Sequence, residues 1–82
     1  MWFVYILRCA DGSLYTGVTT DLRRRLDEHN NSNKGAKYTR TRLPVHLVWS
    51  VECGSRSEAM KKEASIKKLS RPEKLLLVNN NI

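Results

Sequence analysis

Met1-Trp2-Phe3-Val4-Tyr5-Ile6-Leu7-Arg8-Cys9-Ala10-Asp11-Gly12-Ser13-Leu14-Tyr15-Thr16-Gly17-Val18 is the stretch whose reading decides the fold. Residues 2–9 are rich in aromatic and branched side chains and apolar at both parities, the pattern of a strand covered on both faces. Ala10-Asp11-Gly12-Ser13 is a turn signal, and Leu14 to Val18 resumes as a second strand. Gly12 suits the third position of a three-residue loop, where φ is positive. That register pairs Cys9 with Ser13 and Leu7 with Tyr15, and sets Tyr5 and Tyr15 on one face as diagonal neighbours about 7–8 Å apart. A two-residue Asp11-Gly12 turn would instead put the two phenols on opposite faces.

Outward from this hairpin, Asp21 to His29 reads as a helix capped by Thr20 or Asp21. Asn30 to Leu43 reads as a polar, basic loop closed by Pro44, and Val45 to Val51 as a third strand. Ser55-Arg56-Ser57-Glu58 is a capping box that opens a helix from about Arg56 to Leu69. Ser70-Arg71-Pro72-Glu73 repeats the signal before a short closing helix, Leu75 to Val78. The order ββαβαα gives an α/β (more narrowly α+β) domain, a three-stranded antiparallel sheet flanked by helices. Residues 1–78 form a single domain, and residues 79–82 are expected to be a frayed tail.

Two helices carry charge where the apolar stripe should be. On the first the stripe is Leu22, Arg25, Leu26 and His29. Arg25 either lays its stem on apolar surface with its head in water or serves a site; His29, at the helix end, complements the macrodipole or joins that site. On the second, Glu63 lies between Ala59 and Ile66, where an unpaired carboxylate would cost several kcal/mol. It is paired with Arg25, hydrated, or bound to a cation.

The 82 residues, with a formal net charge of +7, point to a polyanionic partner, unless the basic surface serves only solubility. At 40% hydrophobic the chain is rich enough for a core, which excludes disorder. Its length excludes several domains. No apolar run approaches the roughly 20 residues of a membrane helix, and no cleavage site marks the start as a signal peptide. Cys9 and Cys53 have no CxxC partner and suit reduced thiols in a cytoplasmic protein.

These residues resemble the GIY-YIG nuclease superfamily. Phe3-Val4-Tyr5 stands at the first triplet and Tyr15-Thr16-Gly17 at the second, with Phe3 replacing a Gly and Thr16 an Ile. Arg25 follows Tyr15 by ten residues. His29-Asn30 fits the branch with structure-specific Slx-type nucleases. Gly35-Ala36-Lys37-Tyr38-Thr39, Ala59, Glu63, Ile66-Lys67 and Leu69-Ser70-Arg71 look like the small stand-alone bacterial, YhbQ-like URI-domain branch. The resemblance runs from about Trp2 to Leu77.

It implies the GIY-YIG fold and phosphodiester hydrolysis of DNA assisted by Mg²⁺ or Mn²⁺, in repair or recombination, by endo- or exonucleolytic cleavage. Glu63 would hold the metal, and Arg25 would meet the scissile phosphate. Tyr5 would be the general base with Tyr15 positioning water or phosphate, or the reverse. His29 would hydrogen-bond the phosphate or a tyrosine. Asn79 falls near the superfamily's C-terminal Asn. Lys34, Lys37, Tyr38, Arg40 and Arg42 would clamp the DNA backbone, with Tyr38 stacking on an unpaired base. The alternative is a non-catalytic nucleic-acid-binding module of the same fold. So small a chain has little surface for recognition, which makes room for a homodimer or a partner protein.

Overall fold

The computed structural model describes residues 1–79. The hairpin forms in the three-residue register. β1 (Trp2–Arg8) and β2 (Leu14–Thr19) pair antiparallel, with Leu7 opposite Tyr15 and Tyr5 opposite Gly17. Gly12 closes the loop at φ 84°, and its N–H donates to the Cys9 carbonyl at 2.9 Å. Asp11 braces the turn by accepting from the Ser13 N–H at 3.0 Å and from its hydroxyl.

β3 (His46–Cys53) pairs antiparallel with the other edge of β1, giving the order β2-β1-β3. It begins one residue later and ends two residues later than the apolar run indicates. Asn30 sets its entrance: its side-chain amide donates to the Val45 carbonyl at 3.0 Å, and its oxygen accepts from the Val45 N–H at 2.8 Å. Val45 is buried, so Asn30→Ala orphans two backbone groups. We expect it to cost about 2 kcal/mol in a chemical unfolding curve with an unchanged slope.

α1 (Leu22–Asn31) is capped by Asp21, whose carboxylate accepts from the Arg24 N–H at 3.0 Å. α3 (Arg56–Lys67) starts at the Ser55 cap, two residues shorter than expected at its end. α4 (Arg71–Asn79) opens on the second capping box, where the Ser70 N–H donates to Glu73 at 2.9 Å. The closing helix therefore starts four residues earlier than expected and holds Asn79 in its last position. The remainder of the expected tail, 80–82, lies outside the described residues.

The basic loop is the main departure. Within it a single turn, α2 (Lys37–Arg40), buries Thr39, whose hydroxyl donates to the Ala36 carbonyl at 2.9 Å. Tertiary bonds build this turn, and four residues carry no periodicity that announces it.

Because β1 is central and apolar at both parities, the sheet has two buried faces. Val4, Ile6 and Trp49 meet Ala59 and Ile66 of α3 on one side. Tyr5, Leu7, Cys9 and Val45 meet Leu22 and Leu26 of α1 on the other. A bulge opposite Ile6 and Leu7 turns Leu47 towards the α1 face.

Candidate active site

Alternation along β1 sends Tyr5 to the α1 face, and the hairpin register brings Tyr15 beside it, ring centroids 6.4 Å apart. Gly17 makes room for this. A Cβ there would fall on the Tyr5 hydroxyl and the ring carbon that bears it, so the phenol lies over a position only glycine leaves open.

The Tyr5 hydroxyl meets His29 Nε2 at 3.0 Å, and His29 Nδ1 meets the Thr39 hydroxyl at 2.9 Å. Thr39 spends its one hydrogen on the Ala36 carbonyl. Nδ1–H therefore donates to Thr39, and Nε2 accepts from Tyr5. The Ala36 N–H also points at Nδ1, at 3.4 Å, a longer and weaker contact than the two side-chain bonds. All three side chains are at most 2% exposed. His29 does not merely complement a helix end; it joins α2 to the sheet.

Tyr15 lies edge-on to His29 at 5.5 Å and stacks on Tyr38 at 6.0 Å. The Arg42 guanidinium covers Tyr38, 4.0 Å from its centroid. Arg42 is anchored by Asp11 at 3.1 Å and by the Tyr38 carbonyl at 2.8 Å, while Arg40 donates to the Asn33 carbonyl at 2.7 Å. The basic segment is thus folded onto the site. Its two arginines are engaged internally, and the Tyr38 ring, though 41% exposed, already stacks with Tyr15 and Arg42; the Lys34 and Lys37 side chains are exposed and unpaired among the described residues.

Arg25 does not pair with Glu63. Its Nη1 donates to Glu28 at 3.1 Å and to the Lys34 carbonyl at 2.9 Å, and the guanidinium also lies against the Tyr5 hydroxyl. Glu63 sits on α3, against the opposite face of the sheet, and its nearest cation is Lys67 at 3.6 Å. It nevertheless lies close enough to Tyr5 for its charge to be felt there. Tyr5, Tyr15, Arg25 and His29 come together on one face, while Glu63 lies on α3 across the sheet and acts on Tyr5 through its charge. Asn79 is exposed at the end of α4 and makes no hydrogen bond to any of them. Sequence reasoning passed over Thr39 and Glu28; an isolated Thr inside a basic run and an ordinary i+3 carboxylate give little to single out.

Electrostatics follow burial. Desolvation pushes the Tyr5 phenol up to about 12, against the Arg25 guanidinium, which favours the phenolate. Burial, and then Arg25, push His29 down to about 4. A histidine with a depressed folded pKa stabilises fully above its unfolded value near 6.5, and loses that contribution as pH falls towards 4. We expect stability to drop by up to about 3 kcal/mol across that window, a slope that His29→Gln abolishes in a pH series of denaturation curves.

No group of three His, Cys, Asp or Glu side chains exists among the described residues, so a protein-built cage for Zn²⁺ or Ca²⁺ does not fit. A lone, partly buried carboxylate such as Glu63 does fit Mg²⁺ or Mn²⁺, which fill their remaining positions with water and phosphate oxygens.

The chain is 60% identical over 77 residues to UPF0213 protein DP2720 of Desulfotalea psychrophila, covering 94% of this chain and 70% of that one. It is 51% identical to UPF0213 protein SAG0778 of Streptococcus agalactiae, covering 96% and 89%. The solution structure of UPF0213 protein BH0048 from Bacillus halodurans is similar at a TM-score of 0.63 and 51% identity, covering 99% of this chain and 86% of that one. That of EF2693 from E. faecalis gives 0.63 at 46% identity, covering 95% and 82%. Residues 1–76, which carry both tyrosines, Arg25, His29 and Glu63, match the GIY-YIG catalytic domain, and the chain belongs to that family.

Proposed function

We propose that this chain hydrolyses phosphodiester bonds in DNA, with one Mg²⁺ or Mn²⁺ held by Glu63, in repair or recombination. The observation that carries the reading is the buried Thr39–His29–Tyr5 chain set beside a pinned Arg25. Binding alone requires no such relay.

When bound, the divalent ion supplies positive charge for the phosphate and lowers the pKa of water. A phenol near 12 is a poor free base at neutral pH. Tyr5 instead orients the attacking water with its hydroxyl oxygen, while its own proton is held at 3.0 Å by His29 Nε2, which burial keeps neutral and able to accept. Thr39 holds the ring in the tautomer that leaves Nε2 free to accept. Arg25, beside the Tyr5 hydroxyl, offers its guanidinium to the charge that builds on the scissile phosphate. Tyr15 positions water or phosphate next to Tyr5, and Lys34 and Lys37 attract the backbone.

Single-stranded, duplex and branched DNA, incubated with Mg²⁺ or Mn²⁺ and with EDTA, test this. Metal-dependent cleavage is expected, falling by about 100-fold or more in Glu63→Ala and in Tyr5→Phe while both variants stay folded. DNA binding without metal-dependent cleavage of any substrate would instead mark a non-catalytic binding module.

A further inference from the structure

Arg25 and His29 stand one turn apart on α1, and the chain that follows the helix doubles back over them. The Ser32 hydroxyl donates to the Glu28 carbonyl at 3.0 Å and accepts from the Lys34 N–H at 3.2 Å. Arg40 donates to the Asn33 carbonyl at 2.7 Å. These bonds lay the backbone at Gly35 against the last turn of the helix. Gly35 is buried, although Asn31 to Lys34 before it and Lys37 and Tyr38 after it are exposed.

The position needs glycine for its space and not for its backbone angle. Among the described residues, positive φ is confined to Gly12. A Cβ on Gly35 would stand 2.8 Å from the His29 Cα, 3.2 Å from the Glu28 carbonyl oxygen and 3.3 Å from His29 Nδ1. The first two are backbone atoms of α1, which no change of rotamer moves aside. An added methyl therefore parts the loop from the helix by about half an ångström or more.

The two peptide groups that flank Gly35 each face one of the two side chains. The carbonyl of the first, from Lys34, accepts from Arg25 Nη1 at 2.9 Å. The N–H of the second, from Ala36, lies 3.4 Å from His29 Nδ1. The Ala36 carbonyl takes the Thr39 hydrogen at 2.9 Å, which leaves the Thr39 oxygen to accept from Nδ1–H. We propose that Gly35 is a positioning residue: its close approach lets one backbone segment fix the Arg25 guanidinium and the His29 tautomer together, so that the two are set or lost as a unit. The proposal takes its place in catalysis from the nuclease reading, but the coupling itself needs neither metal nor DNA.

The full chain, labelled with ¹⁵N and kept in EDTA, is read by NMR at the His29 imidazole and the Arg25 guanidinium. One tautomer is expected in the parent, with the proton on Nδ1 and its exchange with water slowed by burial. Gly35→Ala is expected to change both reports: Nδ1–H exchanges about ten-fold faster or more, and the Arg25 guanidinium protons exchange like those of an exposed arginine. With Mg²⁺, kcat on DNA is expected to fall about 100-fold and KM to stay within about three-fold, since the exposed Lys34 and Lys37 keep their ammonium groups free. If Gly35→Ala does not fold, Arg25→Ala carries the test. It frees the Lys34 carbonyl, and His29 Nδ1–H is expected to exchange several-fold faster although Arg25 makes no hydrogen bond to His29. A folded Gly35→Ala with either report unchanged, a loss carried by KM, or an Arg25→Ala chain with the parent's His29 exchange would each overturn the proposal. A parent that cuts no DNA loses the nuclease reading alone, and the two NMR reports still decide the coupling.

Discussion

Arg25→Ala is expected to slow DNA cleavage by about two to three orders of magnitude while barely moving the unfolding midpoint. The guanidinium sits on the α1 face with Nη1 fixed by Glu28 and by the Lys34 carbonyl, so it arrives at a phosphate already oriented. Orientation without reorganisation is what makes a cation effective in a transition state. The stability cost stays small because Glu28 and the Lys34 carbonyl are both reached by water once the side chain is gone. Arg25→Lys separates charge from geometry: an ammonium cannot span two fixed acceptors and a phosphate, so it should recover less than a tenth of the loss. Single-turnover rates at saturating DNA measure both variants. A fall of less than about ten-fold in Arg25→Ala would remove Arg25 from the reacting phosphate.

Gly17→Ala is the second large effect, and it acts on both fold and activity. The added methyl would occupy the space of the Tyr5 hydroxyl, and Gly17 is paired with Tyr5 itself across the β1–β2 ladder. Either the ladder opens there or the phenol leaves His29. Overpacking of this kind costs about 1–3 kcal/mol. Cleavage should fall about 100-fold or more, since the 3.0 Å contact to Nε2 cannot survive a displaced ring. Adding Tyr5→Phe to Gly17→Ala removes the clashing oxygen but leaves the ring carbon in the path of the methyl, so it is expected to restore only a minor part of the stability and none of the activity. Unfolding curves and rates on the same preparations check this, and a double variant as stable as the parent would place the strain on the hydroxyl alone.

Legibility in the sequence follows the range of the interactions. The hairpin was readable because a three-residue loop ending in Gly12 fixes the register, and with it the shared face of Tyr5 and Tyr15. Both capping boxes were readable because they bond within four residues. The pairing of Arg25 with Glu63 was not ruled out by pattern, since β1 is apolar at both parities and does not say which helix covers which face. The basic loop hid α2 because Thr39, Arg40 and Arg42 take their places from His29, Asn33 and Asp11, which local periodicity does not encode. Thr16 read as an unreactive replacement; only burial shows that its hydroxyl lacks a partner.

The central place of β1 also orders events in time. The hairpin joins residues as near as Arg8 and Leu14, so it can close as soon as β2 exists. Pairing with β3 joins Arg8 to His46 and Trp2 to Cys53, and carries the larger loop-closure entropy. A nascent chain therefore holds its first strand half-paired, with its α3 face bare, until β3 and α3 are available. The relay through His29 and Thr39 can be built before that moment, whereas the Trp49–Ile66 face that locks the sheet cannot. In this molecule the chemistry-bearing face is the early one, and permanence comes from the later one.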